Sequence, residues 1–354
     1  MRAQFINYTY QAEMDQYSIV GRIGEGAHGL VLQAIHVPTS KRVALKKLLL
    51  KKLEDGISVT VIREIKTLQH IRSKYVVRLL DVFLQGFSVV LVFEFMPADL
   101  WDMLRDPNQP PSNSQIKTYM QMLLRGVSFL HKNGVMHRDL KPSNLLVGKD
   151  GVLKIADLGL ARLKWLDHPH KDTGGARRPY SHQVATRWYR APELLYGARY
   201  YDEGVDLWAV GCIFGEMLNK SPLFAGDNDI EQLCIVLQTL GSPTSDTWPG
   251  MESLPDYNKI TFPASKGMSM EQLLPDVSVE AHDLAKHFLL YNSKKRIPAD
   301  KALQHAYFFS EPYACPLEEM PKPHDDFRKK YLPEEFDAEE PIQNYLADLK
   351  ELLR

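Results

Sequence analysis

Cysteine is scarce in this sequence: only 3 of its 354 residues are cysteines. Cys212, Cys234 and Cys315 follow no spacing that is typical of metal ligands, and their number is odd. We therefore expect free thiols in a reducing compartment, and neither a disulfide framework nor a zinc site.

Long apolar runs are also missing. No segment approaches the ~18–20 consecutive apolar residues that a membrane helix needs, so we expect no insertion into a membrane. Residues 1–10 contain a single basic residue, Arg2, and no apolar stretch, which argues against a secretory signal. These absences favour a protein of the cytoplasm and nucleus.

An excess of one charge is absent as well, because 43 Lys and Arg residues stand against 44 Asp and Glu residues. A protein that wraps nucleic acid normally carries excess basic charge, so we expect no nucleic-acid partner. What the sequence does have is the balance of a globular protein, with 44% hydrophobic and 25% charged residues. Its length suggests two or three folding units, and a large core excludes general disorder.

The periodicity of the sequence changes along the chain. Residues from about 17 to 96 form short runs rich in β-branched residues, with one helical stretch around Val61, Ile65 and Leu68. From about 97 to 309, apolar residues recur mostly at helical spacing. The pattern predicts an α+β protein with a small β-rich N-lobe, containing one main helix, and a larger, mostly helical C-lobe.

We place a single domain of two lobes at residues 17–309. Residues 1–16 precede it as an N-terminal extension, and residues 310–354 follow as a charged tail with repeated prolines. Inside the C-lobe, Ser112 and Gln115 have the spacing of a capping box and predict the start of a helix. Further helices are predicted at 203–219, 228–240 and 279–290.

A glycine-rich run lies between two predicted strands and reads Gly24-Glu25-Gly26-Ala27-His28-Gly29-Leu30-Val31. Glycine lets backbone amides approach phosphate oxygens because no side chain stands in the way. A strand follows instead of a helix, which disfavours a dinucleotide-binding motif. Glycine-rich hairpins also occur without a ligand, so this run alone leaves both interpretations open.

Lys46, in the run Val43-Ala44-Leu45-Lys46, could contact a phosphate if a carboxylate held it. Glu64, on the predicted helix that follows, is a candidate for that carboxylate. In isolation, the pattern around Lys46 favours an ordinary exposed strand lysine.

The strongest motif spans residues 137–144, His-Arg-Asp-Leu-Lys-Pro-Ser-Asn. Asp139 can accept a proton from an attacking hydroxyl, and Lys141 can stabilise the charge of a phosphoryl group in transfer. Asn144 can offer an oxygen to a metal ion, and Asp157 in Asp-Leu-Gly supplies a second metal ligand. A chance polar loop would rarely combine these residues.

In this order, the motifs resemble those of eukaryotic protein kinases, over about residues 17 to 309. The resemblance implies a bilobal kinase fold that uses ATP and Mg²⁺ to phosphorylate proteins. One departure is Leu158, where the family usually has phenylalanine. Leucine can still fill an apolar pocket, so we expect a shifted balance between active and inactive states and no loss of activity.

The resemblance also implies a role for each motif residue. Backbone around the glycine run would cover the phosphates of ATP. Lys46, held by Glu64, would bind these phosphates, and Asp99 would contact the ribose. Asn144 and Asp157 would hold the magnesium. The implied nucleotide-binding residues are Ile23, Gly24, Glu25, Gly26, Ala27, His28, Gly29, Leu30, Val31, Ala44, Lys46, Glu64, Phe93, Glu94, Met96 and Asp99. The implied structural residues are Asp206, which would brace the catalytic loop, and Glu193 and Arg296, which would form a buried ion pair.

Local features resemble the cyclin-dependent and mitogen-activated (CMGC) group of kinases. The resemblance implies a serine/threonine kinase that selects proline after the phosphorylated residue and acts as a monomeric subunit. One branch of this group activates other kinases and helps to control the cell cycle and cilia or flagella, so a cilium is a further expected location. A cyclin-like activator stays open, because the helix that would contact it differs from that of the best-known members. The segments concerned are 54–56, 63–64, 180–186, 186–193 and 193–199.

Ser181 stands where related kinases carry an activating threonine. Arg63, Arg138 and Arg162 are expected to converge on a phosphate at this serine and to order the loop. The alternative is an ordinary surface serine, or a loop ordered by a partner bound to residues 165–179.

A second class of function is a catalytically silent kinase-fold scaffold that acts by binding partners. The lysine and both aspartates needed for transfer are present as Lys46, Asp139 and Asp157, which favours the enzyme.

Overall fold

A computed structural model describes part of the chain, namely residues 14–26, 29–49, 59–85, 88–163, 187–324 and 327. Ala27, His28 and Ser181 lie outside the described residues. For Glu25, Arg63 and Glu64, the backbone is described but the side chain is not. No helix in the described part of the chain is long and apolar enough to cross a membrane.

The N-lobe is a five-stranded antiparallel sheet in the order β1-β2-β3-β5-β4. Helix α1 spans Val59–His70 and packs its buried Ile65 against the sheet. Gly29 opens the second strand with φ of 132°, and a Cβ there would collide with the Lys47 carbonyl, so this position requires glycine. The strands are β1 Tyr17–Gly26, β2 Gly29–His36, β3 Lys41–Leu49, β4 Leu79–Gln85 and β5 Ser88–Glu94.

The sequence from Val76 to Leu84 predicts a strand, but the strand observed there begins at Leu79. The backbone before it is already paired elsewhere, because Val77 N donates to Ile155 O at 2.9 Å and Ile155 N donates to Tyr75 O at 2.9 Å. This pairing ties the N-lobe to the strand that leads to Asp157.

The C-lobe is mostly helical. Its helices are α2 Leu100–Leu104, α3 Asn113–Lys132, α4 Pro192–Leu195, α5 Gly204–Asn219, α6 Asp229–Leu240, α7 Met270–Leu273, α8 Val279–Phe288 and α9 Ala299–Ala302. Its short strands are β6 Ala98–Asp99, β7 Val135–Met136, β8 Leu145–Val147, β9 Leu153–Ile155 and β10 Arg162–Leu163. The capping box predicted at the start of α3 is present, with Ser112 N donating to Gln115 Oε1 at 2.9 Å.

Helices α3 and α5 cross the middle of the C-lobe, where Tyr119, Trp208 and Phe214 are fully buried. The predicted α+β class with two lobes of this kind is confirmed. All three cysteines lie among the described residues and are free thiols.

Residues 310–321, here called the C-terminal strap, pack along helix α3. The ammonium of Lys117, which is 1% exposed, donates to Ser310 O at 2.7 Å. Thr118 Oγ1 donates to Cys315 O at 2.9 Å. The strap therefore supplies the acceptors of polar groups that the helix buries.

The strap also closes the packing at its far end. Gln115 Nε2 donates to Glu319 O at 2.9 Å, and Met320 is 3% exposed against Gly151. The packed unit thus continues past the predicted domain boundary at residue 309, because the helix needs the strap to satisfy and cover its outer face.

A chain that ends at Phe309 should be less stable than the full chain by roughly 3–5 kcal/mol. The loss has two sources. The surface that Met320 covers becomes exposed, and the buried ammonium of Lys117 loses its acceptor. Urea unfolding curves measure the difference. A chain that ends at His324 keeps the strap and is the matched control; equal midpoints for both truncations would contradict the prediction.

Candidate active site

A cleft between the lobes brings together eight of the sixteen predicted nucleotide-binding residues and both predicted metal ligands. Those that line it are Ile23, Gly24, Val31, Ala44, Lys46, Phe93, Glu94, Met96, Asn144 and Asp157. Ala44 and Phe93 are register partners on β3 and β5, which places both on the cleft face of the sheet. The upper wall of the cleft is therefore set by strand pairing.

Several lining residues were missed by the sequence analysis, among them Val77, Leu146 and Ile155. Strand alternation could have revealed Leu146, because Leu145 and Val147 on either side of it are buried in the core. Its side chain must then face the other way, into the cleft.

Lys46 and Asp157 meet inside this cleft, with Lys46 Nζ 2.9 Å from Asp157 Oδ1. Burial raises the pKa of the Asp157 carboxyl, but the charge and hydrogen bond of Lys46 outweigh it and lower that pKa to about 2. Asp157 is therefore an anion at neutral pH, as a metal ligand must be. The predicted pairing of Lys46 with Glu64 stays a prediction, because the Glu64 side chain lies outside the description.

Lys46→Met should change how stability depends on pH. In the wild type, the folded-state pKa of Asp157 lies below its ordinary value of 3.8, so the ion pair stabilises above about pH 4 and this stabilisation is lost as pH falls toward 2. Without Lys46, burial leaves an uncompensated carboxylate at neutral pH. We expect the loss of unfolding free energy relative to wild type to be largest near pH 7 and to shrink below pH 4.

Denaturant unfolding from pH 3 to pH 7 measures this difference. Lys66→Met, at an exposed position on α1, is the matched control. A difference between Lys46→Met and wild type that does not vary with pH would contradict the prediction.

In the catalytic loop, residues 137–144, two of the predicted groups contact the carboxylate of the third. Lys141 Nζ lies 3.0 Å from Asp139 Oδ2, and Asn144 Nδ2 donates to Asp139 Oδ2 at 3.0 Å and to Asp139 O at 2.8 Å. Because its amide nitrogen is used in this way, Asn144 has its carbonyl oxygen to offer to a metal ion.

Asp206, in the first turn of α5, holds the backbone of this loop. Its Oδ2 accepts from His137 N at 2.9 Å, and its Oδ1 accepts from Arg138 N at 2.8 Å. Burial raises the pKa of the Asp206 carboxyl, but the hydrogen bond from His131 and the nearby charges keep it below its ordinary value. The bracing role expected for Asp206 is present in the structure.

The side chain of Arg138 links the catalytic loop to two other segments. Its Nε donates to Leu160 O at 2.6 Å, and its Nη1 donates to Tyr201 Oη at 2.9 Å. Arg162 lies on β10, opposite Met136 of β7, and so close to the same loop. With Ser181 and the Arg63 side chain outside the description, the convergence of three arginines on a phosphate stays a prediction.

Two predicted nucleotide contacts have other partners in the structure. Asp99 caps α2 by accepting from Asp102 N at 2.9 Å, and it does not line the cleft. The Glu94 carboxylate binds Lys154 Nζ at 2.7 and 2.8 Å, and Glu94 N donates to Arg78 O at 3.1 Å. A contact between Asp99 and ribose remains a prediction.

Leu158 fills an apolar pocket, as expected for a leucine in this position. It is 2% exposed and belongs to the main C-lobe core. The preceding Asp157 has φ of 60°, a left-handed conformation that is costly for a non-glycine residue. Gly159 N donates to Asp157 Oδ1 at 3.3 Å, and the packing of Leu158 helps to hold the turn.

The cleft fits a nucleotide with a magnesium ion. Its walls are apolar where a flat base would lie, and Gly24 lines it without a side chain, which leaves backbone accessible to phosphate. The carboxylate of Asp157 and the amide oxygen of Asn144 are hard oxygen donors, the kind that Mg²⁺ prefers.

Comparison with known proteins agrees with this geometry. The protein kinase domain model matches residues 17–308, so the chain belongs to the protein kinase family. Kinases of this family generally use ATP and Mg²⁺ and act on protein substrates.

The similar proteins are named cyclin-dependent kinases, and the chain is a serine/threonine protein kinase of that kind. It is 55% identical over 340 residues to cyclin-dependent kinase 20 of Danio rerio, covering 95% of this chain and 96% of that protein. It is 56% identical over 311 residues to cyclin-dependent kinase 20 of Homo sapiens, covering 88% of each. It is 41% identical over 309 residues to cyclin-dependent kinase D-1 of Arabidopsis thaliana, covering 87% of this chain and 75% of that protein.

Proposed function

We propose that this chain transfers the γ-phosphate of ATP to serine or threonine residues that are followed by proline. The observation that carries the transfer is the cleft itself, where Lys46 pairs with Asp157 at 2.9 Å and Asp139 contacts both Lys141 and Asn144. These groups are placed for phosphoryl transfer by position and charge.

Each residue then has a defined part. Asp139 orients the substrate hydroxyl and accepts its proton, while Lys141, 3.0 Å from Asp139, neutralises charge on the transferring group. Asp157 and Asn144 would hold Mg²⁺, which neutralises phosphate charge when bound. Lys46 orients the phosphates, and the apolar walls at Ala44 and Leu146 position the base.

A silent scaffold with a kinase fold is the alternative. It is disfavoured because an idle site has no need for an ionised Asp157, for which burial alone would raise the pKa. The described groups are kept in a charged, mutually bonded arrangement.

The preference for proline follows from the segment that precedes α4. Arg190 Nη1 binds Asp229 Oδ1 at 3.1 Å and Arg187 Nε binds the same oxygen at 2.8 Å, which anchors this segment to α6. By the family resemblance, Val184, Ala185 and Arg190 would form the pocket that accepts this proline; Val184 and Ala185 lie outside the described residues. A pocket without an acceptor for a backbone amide favours proline, which has no N–H.

Peptide arrays test this preference. We expect phosphorylation of Ser-Pro and Thr-Pro peptides to exceed that of matched Ser-Ala and Thr-Ala peptides by at least about fivefold, since an unsatisfied buried amide costs ~1–3 kcal/mol. The Asp139→Asn chain is the negative control. Equal labelling of proline and alanine peptides by the wild type would overturn the proposed selectivity.

By the family resemblance, the chain would act in the cell cycle, with other kinases among its substrates, and it would do so in cytoplasm, nucleus and cilium. The chain would act as a monomeric catalytic subunit. Dependence on a cyclin-like activator is tested by assaying the purified chain alone and after affinity purification from cells, with mass spectrometry of what copurifies.

We further propose that phosphorylation of Ser181 raises activity by recruiting Arg63, Arg138 and Arg162. Kinase activity of Ser181→Ala beside phosphatase-treated wild type tests this switch. Full activity of both would show that something other than phosphate holds the loop.

A further inference from the structure

We propose that Tyr201 is a positioning residue for the catalytic loop, and that its hydroxyl holds Arg138 without any phosphate. The inference rests on the proposed kinase function and deepens its regulation. Part of the order of the catalytic loop would then come from this neutral hydroxyl and not from a phosphate.

Arg138 needs such support because of its backbone. Its φ is 69°, in the left-handed region that residues other than glycine adopt at an energetic cost, and it directly precedes Asp139. Contacts from elsewhere in the fold must hold this conformation. A change at Arg138 would rotate the peptide that carries Asp139.

Tyr201 and Asp206 hold the two ends of Arg138 from one segment of the chain. Asp206 accepts from Arg138 N at 2.8 Å, and the hydroxyl of half-buried Tyr201 accepts from Arg138 Nη1 at 2.9 Å. Tyr201 lies three residues before α5 begins at Gly204. Because α5 is a core helix of the C-lobe, both contacts fix the position of the catalytic loop relative to that helix.

The third contact of Arg138 reaches the metal-binding turn. Its Nε donates at 2.6 Å to Leu160 O, at the end of the 3-10 turn that follows Asp157. One guanidinium thus joins the loop of Asp139, the turn after Asp157 and the base of α5. Tyr201 fixes where that guanidinium sits.

This arrangement changes what a phosphate on Ser181 would do. A guanidinium has several N–H donors, so a phosphate can share Arg138 with Tyr201. Phosphorylation then reinforces a link that is already made. The cost of losing the Tyr201 hydroxyl should be greatest when Ser181 cannot be phosphorylated.

The test is Tyr201→Phe, which removes only the hydroxyl. In a Ser181→Ala chain we expect kcat to fall about tenfold with KM for ATP unchanged, because a hydrogen bond to a charged group is lost far from the nucleotide. In wild type phosphorylated at Ser181 the fall should be less than about threefold. Tyr313→Phe, at an exposed tyrosine, is the matched control.

A double-variant cycle shows whether the effect passes through Arg138. In an Arg138→Ala chain, Tyr201→Phe should cause no further loss of kcat. If Tyr201→Phe lowered kcat equally with and without Arg138, or did not lower it in the Ser181→Ala chain, the proposal would be overturned.

Amide hydrogen exchange at residues 137–140 does not depend on kinase activity. It therefore tests the positioning role of Tyr201 separately from the proposed function. We expect Tyr201→Phe to speed exchange there while the amides of α3 exchange at the rates of the Tyr313→Phe control. Unchanged exchange would overturn the positioning role, even if the chain proved inactive; faster exchange in an inactive chain would support it and count against the proposed function alone.

Discussion

Replacing Asp139 by asparagine should lower kcat for phosphate transfer by about a hundred- to ten-thousandfold, the range that a general base contributes. Asparagine has nearly the same shape but cannot take the proton of the attacking hydroxyl. ATP binding should persist, because the contact of Lys46 with Asp157 and the apolar walls of the cleft do not involve Asp139.

Radiolabelled phosphate transfer to a basic protein and calorimetric ATP binding measure the two effects separately. Asp246→Asn makes the same chemical change at an exposed position and is the control. Equal transfer by wild type and Asp139→Asn would favour the scaffold, and loss of ATP binding would show that Asp139 shapes the cleft.

Arg296→Met should destabilise the protein by about 3–5 kcal/mol, the usual cost of breaking a buried ion pair from one side. Arg296 Nη1 and Nη2 donate to the two carboxylate oxygens of Glu193 at 2.7 and 2.8 Å, and both residues are buried. Methionine fills much of the volume but leaves the Glu193 charge without a partner. Guanidinium chloride unfolding measures the loss.

The double variant Arg296→Met with Glu193→Gln should recover part of that loss, because the uncompensated charge is then removed. Recovery will be incomplete, since Arg296 also donates to Leu290 O at 2.8 Å and Gly204 O at 2.8 Å. Arg199→Met, at an exposed arginine, is the control. A loss below about 1 kcal/mol would mean that the pair contributes little to stability.

Local pattern was sufficient for several parts of this protein. The spacing of apolar residues predicted helices at 203–219 and 228–240, which are observed at Gly204–Asn219 and Asp229–Leu240. Asp139, Lys141 and Asn144 could be recognised together because they lie within six residues of one loop, and their contacts are short-range. The bracing by Asp206 and the pair Glu193–Arg296 were expected from the family resemblance, not from periodicity.

Contacts between distant segments depended on the tertiary structure. Lys46 meets Asp157 across 111 positions of sequence, a contact that the sequence analysis did not predict, while its pairing with Glu64 stays a prediction. Asp99, expected at a ribose, also caps α2 by accepting from Asp102 N, and its contact with ribose stays a prediction. For Lys46 the local sequence supplied the charged group, but the packing of other elements brought Asp157 to it.

Residue types, their periodicity and the order of the motifs determined the α+β class, the main helices and the identity of the groups that carry the chemistry. The tertiary structure alone decided that the strap covers Lys117 and that Tyr201 holds Arg138. The physical reason is the separation along the sequence of the groups that interact. Helix and strand patterns arise from neighbours a few residues apart, whereas the partner of a buried polar group is whichever acceptor the whole fold brings within hydrogen-bond distance.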